Sequence, residues 1–238
     1  MDLYLHSPSI FTPFPFFKIK IFNQKTLEKE PDHFAPPFLK DTICVEAKKM
    51  GLNQVVIPSL KHTSKTHLIE DPKSPVEADS VLVTKPDIAV AITHADCQAT
   101  FILDAESKKF AAIHAGWRGL FEDIYIKSIK KMVDSGSNPK NLFVFVGPSL
   151  GLSWGTFLNY IKEIPECYHH LLIKPCNFDL KNIAKMHCIS MGIPEKNIEV
   201  SPLCTAESDA YFSYRRAKKG GIDLKARNFT IGGICLKG

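Results

Sequence analysis

The fold is decided by residues 88–120, which read "IAVAITHADCQATFILDAESKKFAAIHAGWRGL". Three short apolar runs in this stretch, at 88–93, 99–104 and 109–115, are bounded by turn residues, so each predicts a buried strand. Six further runs of this kind are expected to be strands: 16–22, 54–60, 80–84, 142–148, 198–201 and 229–236. The centre of the chain is therefore dense in strands that follow one another directly.

Helices are expected between and beside these strands. Apolar residues spaced four apart predict an amphipathic helix over 119–134. Two more helices are expected at 41–52, capped by Asp41 or Thr42, and at 179–191, capped by Asp179. Residues 23–39, charged and then proline-rich, are typical of an exposed loop. Helices and strands mix without strict alternation, which predicts an α+β fold: one compact domain with mixed β-sheets and helices packed outside.

Composition narrows the class of protein. The net charge of +5 is spread along 238 residues and fits a small anionic substrate as easily as nucleic acid. No aromatic-interleaved basic block favours nucleic acid, so we expect a small-molecule substrate. No apolar run reaches the roughly 18–20 residues of a membrane span, and the N-terminus lacks the pattern of a signal peptide. The seven cysteines are irregularly spaced, as expected for reduced thiols in the cytoplasm. We expect a monomer or a homodimer.

Three residues that can bind a metal follow or end predicted strands: His62, Cys97 and His114. If those strands are neighbours the three converge, and two His with one Cys leave a fourth zinc position open, as in catalytic sites. Cys97 can instead be a nucleophile with a histidine as its base, or an inert core residue. His67 and His94 are rival ligands with exposed or capping positions as their alternative.

Other polar residues can complete a binding site around this group. Asp96 precedes Cys97 and can orient an imidazole or move a proton, or simply cap a turn. Arg118 follows His114 at a helix start, where a planar cation suits phosphate or carboxylate, or a structural ion pair. Ser149, in the turn "VGPSLGLSWG", and the pair Arg215 and Arg216 are candidate substrate contacts. The alternative for the arginines is a basic surface loop.

A series of motifs identifies a family. "ADSVLVT", "IAVAITHADC", "AAIHAGWRGL", "VGPSLG" and the terminal "CT" with "YFSYRR" resemble proteins of the YfiH type, known as laccase-domain proteins, polyphenol oxidases or purine nucleoside phosphorylases. The resemblance covers roughly 41–238. It implies zinc ligands at His62, Cys97 and His114. It also implies phosphorolysis of adenosine, inosine or methylthioadenosine, adenosine deamination, or peptidoglycan editing. Copper is reported for the family, but one Cys and two His suit a single zinc better than several coppers.

The resemblance is weakest at the N-terminus. Family members carry "TRxGG" there, whereas this chain has "FTPFPFFKIKIF", so residues 1–40 are divergent within a single domain spanning 1–238. The family's "CCYEV" segment is replaced by "SWGTF" at 153–157. Three functions from different classes are therefore kept. They are a zinc-dependent purine nucleoside phosphorylase with adenosine deaminase activity, a Cys–His amide hydrolase, and a non-catalytic metal- or nucleoside-binding protein.

Overall fold

Two β-sheets packed face to face form the centre of the protein. The computed structural model describes residues 8–23, 35, 37–221 and 225–236. The strands of the described residues are β1 (Phe17–Phe22), β2 (Gln54–Val56), β3 (Thr66–Leu68), β4 (Ser80–Val83), β5 (Ile88–His94), β6 (Gln98–Asp104), β7 (Lys109–Ala115), β8 (Leu142–Val146), β9 (Leu172–Lys174), β10 (Asn177–Phe178), β11 (Ile198–Val200) and β12 (Asn228–Ile234).

The described residues form six helices. They are α1 (Phe38–Lys49), α2 (Trp117–Phe121), α3 (Ile124–Asp134), α4 (Tyr160–Glu163), α5 (Leu180–Ser190) and α6 (Tyr214–Gly220). Short 3-10 turns occur at Ser9–Phe11, Pro139–Asn141, Leu152–Trp154, Glu166–Leu171 and Glu195–Asn197. Among the described residues, no helix has the length and apolar character needed to cross a membrane.

The larger sheet has the strand order β11-β8-β6-β7-β4-β3, and the second has the order β1-β12-β5-β2. Parallel pairs (β2 with β5, β3 with β4, β8 with β11) stand beside antiparallel ones, so both sheets are mixed. A separate antiparallel pair is formed by β9 and β10. This confirms the predicted α+β class with mixed sheets in one compact domain.

Three apolar layers hold the elements together. The layer between the two sheets contains Phe17 and Val90 from one sheet and Phe101, Phe110 and Phe145 from the other. The outer face of the larger sheet packs on α2, α3 and α5, and the outer face of the second sheet packs on α1. Because β6 and β7 are buried on both faces, they are continuous apolar runs rather than alternating ones.

Some predicted boundaries are wrong for local reasons. Helix α1 begins at Phe38, after Pro37, so Asp41 lies inside its first turn and Thr42 inside the helix, and neither caps it. The helix expected at 119–134 is two helices, because Asp123 between them adopts the left-handed backbone region at φ 65°. The strand expected at 54–60 ends at Val56, shortly before Pro58. Most of the loop expected at 23–39, namely 24–34 and 36, lies outside the described residues.

The predicted cap of α5 is confirmed and offers a test. The Asp179 side chain accepts a hydrogen bond from the Asn182 backbone N–H at 3.0 Å. We expect Asp179→Ala to cost about 1 kcal/mol of unfolding free energy, which lowers the thermal midpoint by about 2–4 °C. Asp41→Ala removes no cap, so thermal denaturation is expected to show a change below about 0.5 kcal/mol. Equal losses in the two variants contradict the cap.

Candidate metal centre and cavity

His62, Cys97 and His114 come together where the two sheets meet. Cys97 lies in the turn between β5 and β6, and His114 lies on β7, which pairs with β6 so that His114 faces Ala99. His62 follows β2 in an irregular segment. One ligand atom from each residue lies within 4.8 Å of the others. The predicted convergence of the three residues is therefore present in the structure.

One ligand candidate and the residue beside another have unusual backbone conformations. His62 has φ 59° and Asp96, beside Cys97, has φ 81°. Non-glycine residues rarely adopt the left-handed region, and they do so where the surroundings fix them. The Asp79 carboxylate accepts the His62 backbone N–H at 2.9 Å, and Asp96 accepts hydrogen bonds from Thr205 and from the backbone N–H of Arg215. Both strained positions are thus held by specific hydrogen bonds.

The charges of the centre are coupled. Burial acts to raise the pKa of Cys97, but the positive charge and hydrogen bonds of His114, with a smaller contribution from His62, lower that pKa below its usual range. Burial acts to lower the pKa of His114, but the Cys97 thiolate and the Asp79 carboxylate outweigh it and raise this pKa to about 9. Burial alone raises the pKa of Asp79, but hydrogen bonds from His114, Thr63 and His62 hold it well below the usual range. The thiol is therefore deprotonated easily, as a metal ligand requires.

Both glycines of "HAGWRG" allow the chain to approach the His62 segment. A Cβ on Gly116 would lie 2.8 Å from His62 Cδ2 and 3.3 Å from Cys97 Sγ. A Cβ on Gly119 would lie 2.5 Å from the Thr63 carbonyl oxygen. No side chain fits at either position without displacing the site, which explains both glycines.

The three residues line a cavity of about 920 Å³. Its walls carry several cations, namely Lys61, Arg118, Arg215, Lys218 and Arg227. Asp96 is the one acidic residue among the described residues that line it. Aromatic side chains of Trp117, Phe157 and Tyr214 complete the wall. The size is that of a small-molecule site, and the charge favours an anionic ligand.

The predicted arginines have different surroundings. Arg118 is exposed at the cavity, with its guanidinium 4.2 Å from the Trp117 ring centre. Within the described part of the chain this guanidinium makes no hydrogen bond. Arg215 also lines the cavity, but it donates to the carbonyls of Trp154 and Thr156. The Arg216 guanidinium donates to four backbone carbonyls between 205 and 211 and does not line the cavity. Of these three arginines, Arg118 is therefore the one best placed to meet a ligand.

Ser149 and the two rival histidines are also placed. Ser149 lines the cavity and is buried, and its hydroxyl has no partner in the regions that the structure describes. His94 lies in the cavity wall, where burial and the charge of His114 lower its pKa to about 3. Its Nε2 is 3.3 Å from the Thr230 hydroxyl, and it does not belong to the group of three ligand atoms. His67 is exposed on β3 and does not line the cavity.

One residue of the centre is absent from the sequence prediction. Asp79 contacts both His62 and His114 but was not singled out, because an aspartate before a strand is typical of a turn cap. The signal that can reveal it is its position in "ADSVLVT", directly before a strand that pairs with the strand of His114. The pairing of β4 with β7 brings Asp79 beside His114, and no spacing within the sequence indicates this contact.

Comparison with known proteins identifies the family. Residues 41–224 match the family described as multi-copper polyphenol oxidoreductase laccase, and the chain belongs to that family. A relative from Aquifex aeolicus named purine nucleoside phosphorylase is 32% identical, with 72% of this chain and 81% of that protein covered. A Synechocystis relative of the same name is 29% identical over 58% of this chain, and the match spans only 63% of that protein.

Solved structures support the same fold. Bacillus licheniformis YfiH superposes with a TM-score of 0.72 at 22% identity, covering 90% of this chain and 85% of that one. YlmD from Geobacillus stearothermophilus superposes with a TM-score of 0.74 at 17% identity, covering 94% of each chain. These structures confirm the fold, and the match of residues 41–224 to the family confirms the expected membership.

Proposed function

We propose that this protein is a zinc-dependent purine nucleoside phosphorylase. The observation that carries the proposal is a His–Cys–His ligand group in the wall of a cavity that also holds the exposed cation of Arg118. Relatives named purine nucleoside phosphorylase support the reaction. The substrates are adenosine, inosine or methylthioadenosine with phosphate, and the products are the free base and a ribose 1-phosphate.

The donor set fits one zinc ion. Two imidazoles and a thiolate are ligands that zinc prefers, and three protein ligands leave a fourth position open. Several coppers require more histidines than this centre has, and no second cluster of three ligands is present in the described ranges. A zinc ion supplies Lewis-acid stabilisation of negative charge on oxygen when it is bound.

The residues that line the cavity bind and orient the phosphate and the nucleoside. Arg118 binds phosphate through its planar guanidinium, and Arg215 and Ser149, which line the same cavity, contact the substrate. The side chains of Trp117 and Phe157, whose ring centroids lie 5.6 Å apart, supply an apolar part of the wall for the purine. A phosphate oxygen forms a bond to C1′ of the ribose while the C1′–N bond breaks, and the base leaves with the electron pair and takes up a proton. Orientation of phosphate and nucleoside is the main contribution of the protein.

A deamination branch is part of the proposal. Asp96 is the carboxylate of the cavity wall and lies beside Cys97, so we assign the transfer of a proton between water and the leaving amine to it. The hydrogen bonds from Thr205 and Arg215 fix its position. Release of ammonia and inosine from adenosine without phosphate is the signature of this branch.

The whole chain is proposed to form this one domain, in the cytoplasm. Residues 1–40 diverge from the family motif, but β1 pairs along its length with β12, which places Phe17–Phe22 within the second sheet. All seven cysteines are free, as expected where thiols are kept reduced. We propose a monomer or a homodimer.

Loss of Arg118 is expected to weaken phosphate binding. Its guanidinium is the exposed cation nearest in sequence to His114, and a hydrogen bond to a charged group contributes about 1.5–3 kcal/mol. We therefore expect Arg118→Gln to raise KM for phosphate by roughly 10–100-fold, with a smaller change in kcat. Lys130→Gln removes the same charge from the exposed side of α3 and serves as the control. An unchanged KM for phosphate in Arg118→Gln contradicts the assignment.

The proposed reaction is tested directly. Purified protein with measured zinc is incubated with inosine or adenosine and phosphate, and free base and inosine are followed by chromatography. We expect hypoxanthine or adenine to form only when phosphate is present. Bound zinc without free base and without inosine from adenosine rejects an enzyme that acts on nucleosides. Nucleoside binding without turnover then identifies a binding protein.

A second candidate is a Cys–His amide hydrolase acting on peptidoglycan precursors. The observation that favours it is the lowered pKa of the Cys97 thiol beside His114, as in a nucleophile with its base. This enzyme works without metal and forms an acyl-enzyme on Cys97. Activity on an amide that survives a chelator, with a trapped acyl group, selects this reading over the phosphorylase.

A further inference from the structure

Asp79 stands out as a buried carboxylate with an unusual number of partners. Its side chain is fully buried, and its two oxygens accept the backbone N–H groups of Lys61, His62 and Thr63 at 2.9–3.2 Å. They also accept the Thr63 hydroxyl at 2.8 Å and contact His114 Nδ1 at 3.0 Å. One carboxylate therefore touches the segments of two of the three proposed metal ligands.

These contacts differ from those of a turn cap. Asp104, another buried aspartate, accepts its hydrogen bonds mainly from residues two and three positions further along the chain, and the Ser137 side chain contributes one more. The partners of Asp79 lie 16 to 18 and 35 positions away. Asp79 thus joins two separate parts of the chain instead of closing a local turn.

The contact between Asp79 and His114 determines which ring nitrogen of His114 carries the proton. An ionised carboxylate can only accept a hydrogen bond, so Nδ1 of His114 must carry the proton. The lone pair of the neutral ring then lies on Nε2, the other nitrogen. A carboxylate partner of this kind fixes the tautomer and the ring direction of a metal-binding histidine.

The contacts to the His62 segment define its backbone. The N–H groups of Lys61, His62 and Thr63 converge on one carboxylate, which holds His62 at φ 59°. Without this anchor the segment loses the hydrogen bonds that offset its left-handed conformation. The His62 ring then loses its fixed position against Gly116 and Cys97.

We propose that Asp79 is the positioning residue of the metal centre, which sets the directions of both imidazoles although it is not itself a ligand. This inference rests on the proposed zinc site. Its consequence is that metal affinity depends on a residue outside the ligand group. Loss of an outer-shell partner of this kind costs about 10–100-fold in metal affinity.

The test measures metal binding rather than turnover. The zinc dissociation constants of the wild type and Asp79→Asn are determined by competition with a chromophoric chelator. We expect zinc binding in Asp79→Asn to weaken by about 10–100-fold. The absorption spectrum of each protein loaded with Co²⁺ reports the ligand geometry, and we expect it to change in Asp79→Asn. Asp104→Asn is the matched control, since it removes a buried, hydrogen-bonded carboxylate. Asp104 ends β6, whereas Cys97 directly precedes the start of that strand.

Each outcome decides the inference. Wild-type affinity and spectrum in Asp79→Asn, or equal losses in Asp104→Asn, overturn it. If Asp79→Asn does not fold, Thr63→Val removes only the hydroxyl that contacts Asp79 and is expected to weaken zinc binding by about 2–10-fold; unchanged affinity overturns the inference. A wild type that binds no zinc rejects the zinc site and this inference together. Zinc binding without phosphorolysis rejects only the proposed reaction.

Discussion

Replacing Cys97 with serine is expected to remove bound zinc and, with it, phosphorolysis. The two side chains are nearly equal in size, but a serine hydroxyl is not deprotonated at neutral pH, whereas His114 and His62 favour the Cys97 thiolate. The loss of a ligand exceeds the roughly 10–100-fold effect of losing an outer-shell partner. Zinc per chain after dialysis, and the rate of base release from inosine, measure the effect.

Cys167→Ser provides the control for this substitution. Cys167 is an exposed thiol outside the cavity lining, so the same chemical change is expected to leave zinc content and rate at the wild-type level. Full zinc in Cys97→Ser removes Cys97 from the ligand group. Retained zinc with lost activity on an amide substrate supports the thiol hydrolase instead, because that enzyme needs the sulfur and not the metal.

Gly116→Ala is expected to damage the centre as severely as the loss of a ligand. The added Cβ lies 2.8 Å from His62 Cδ2 and 3.3 Å from Cys97 Sγ, so at least one ligand must move. Gly116 has φ −72° and ψ 164°, which alanine adopts without strain, so the effect comes from the contact alone. Zinc affinity measured by chelator competition, with the thermal midpoint alongside, reports the change.

A second glycine separates loss of the site from loss of stability. Gly221 has φ 67°, and a Cβ there meets no atom of the described residues within 4 Å. Gly221→Ala is therefore expected to lower stability by about 1 kcal/mol through its backbone while zinc affinity stays unchanged. Wild-type zinc affinity in Gly116→Ala contradicts the close approach seen at the centre.

The convergence of His62, Cys97 and His114 could be predicted because strand ends meet. Cys97 and His114 adjoin two runs, at 99–104 and 109–115, that are close enough in sequence to form neighbouring strands. His62 could be added because it also follows a strand, although its exact backbone could not. The left-handed conformation of His62 depends on Asp79, a contact between distant segments that no local pattern reports.

Other parts of the site were beyond sequence reasoning for physical reasons. Neighbouring residues of a helix point about 100° apart, so the sequence does not reveal that Arg215 faces the cavity while Arg216 donates to carbonyls behind it. Helix α6 is short and has no apolar repeat to indicate it. The break at Asp123 lies within an otherwise regular apolar pattern, and the Tyr168 hydroxyl that donates to Asp123 comes from a remote segment.

The origin of the three donor atoms has a consequence for the unfolded chain. They belong to residues 62, 97 and 114, which an unfolded chain does not hold together, so an ion that needs all three binds the native state alone. Such binding closes two long loops of the chain and shifts the folding equilibrium by mass action. All seven cysteines of this protein are free. A metal bound at the proposed site is then a reversible cross-link, which restricts the unfolded chain as a disulfide bond does in other proteins.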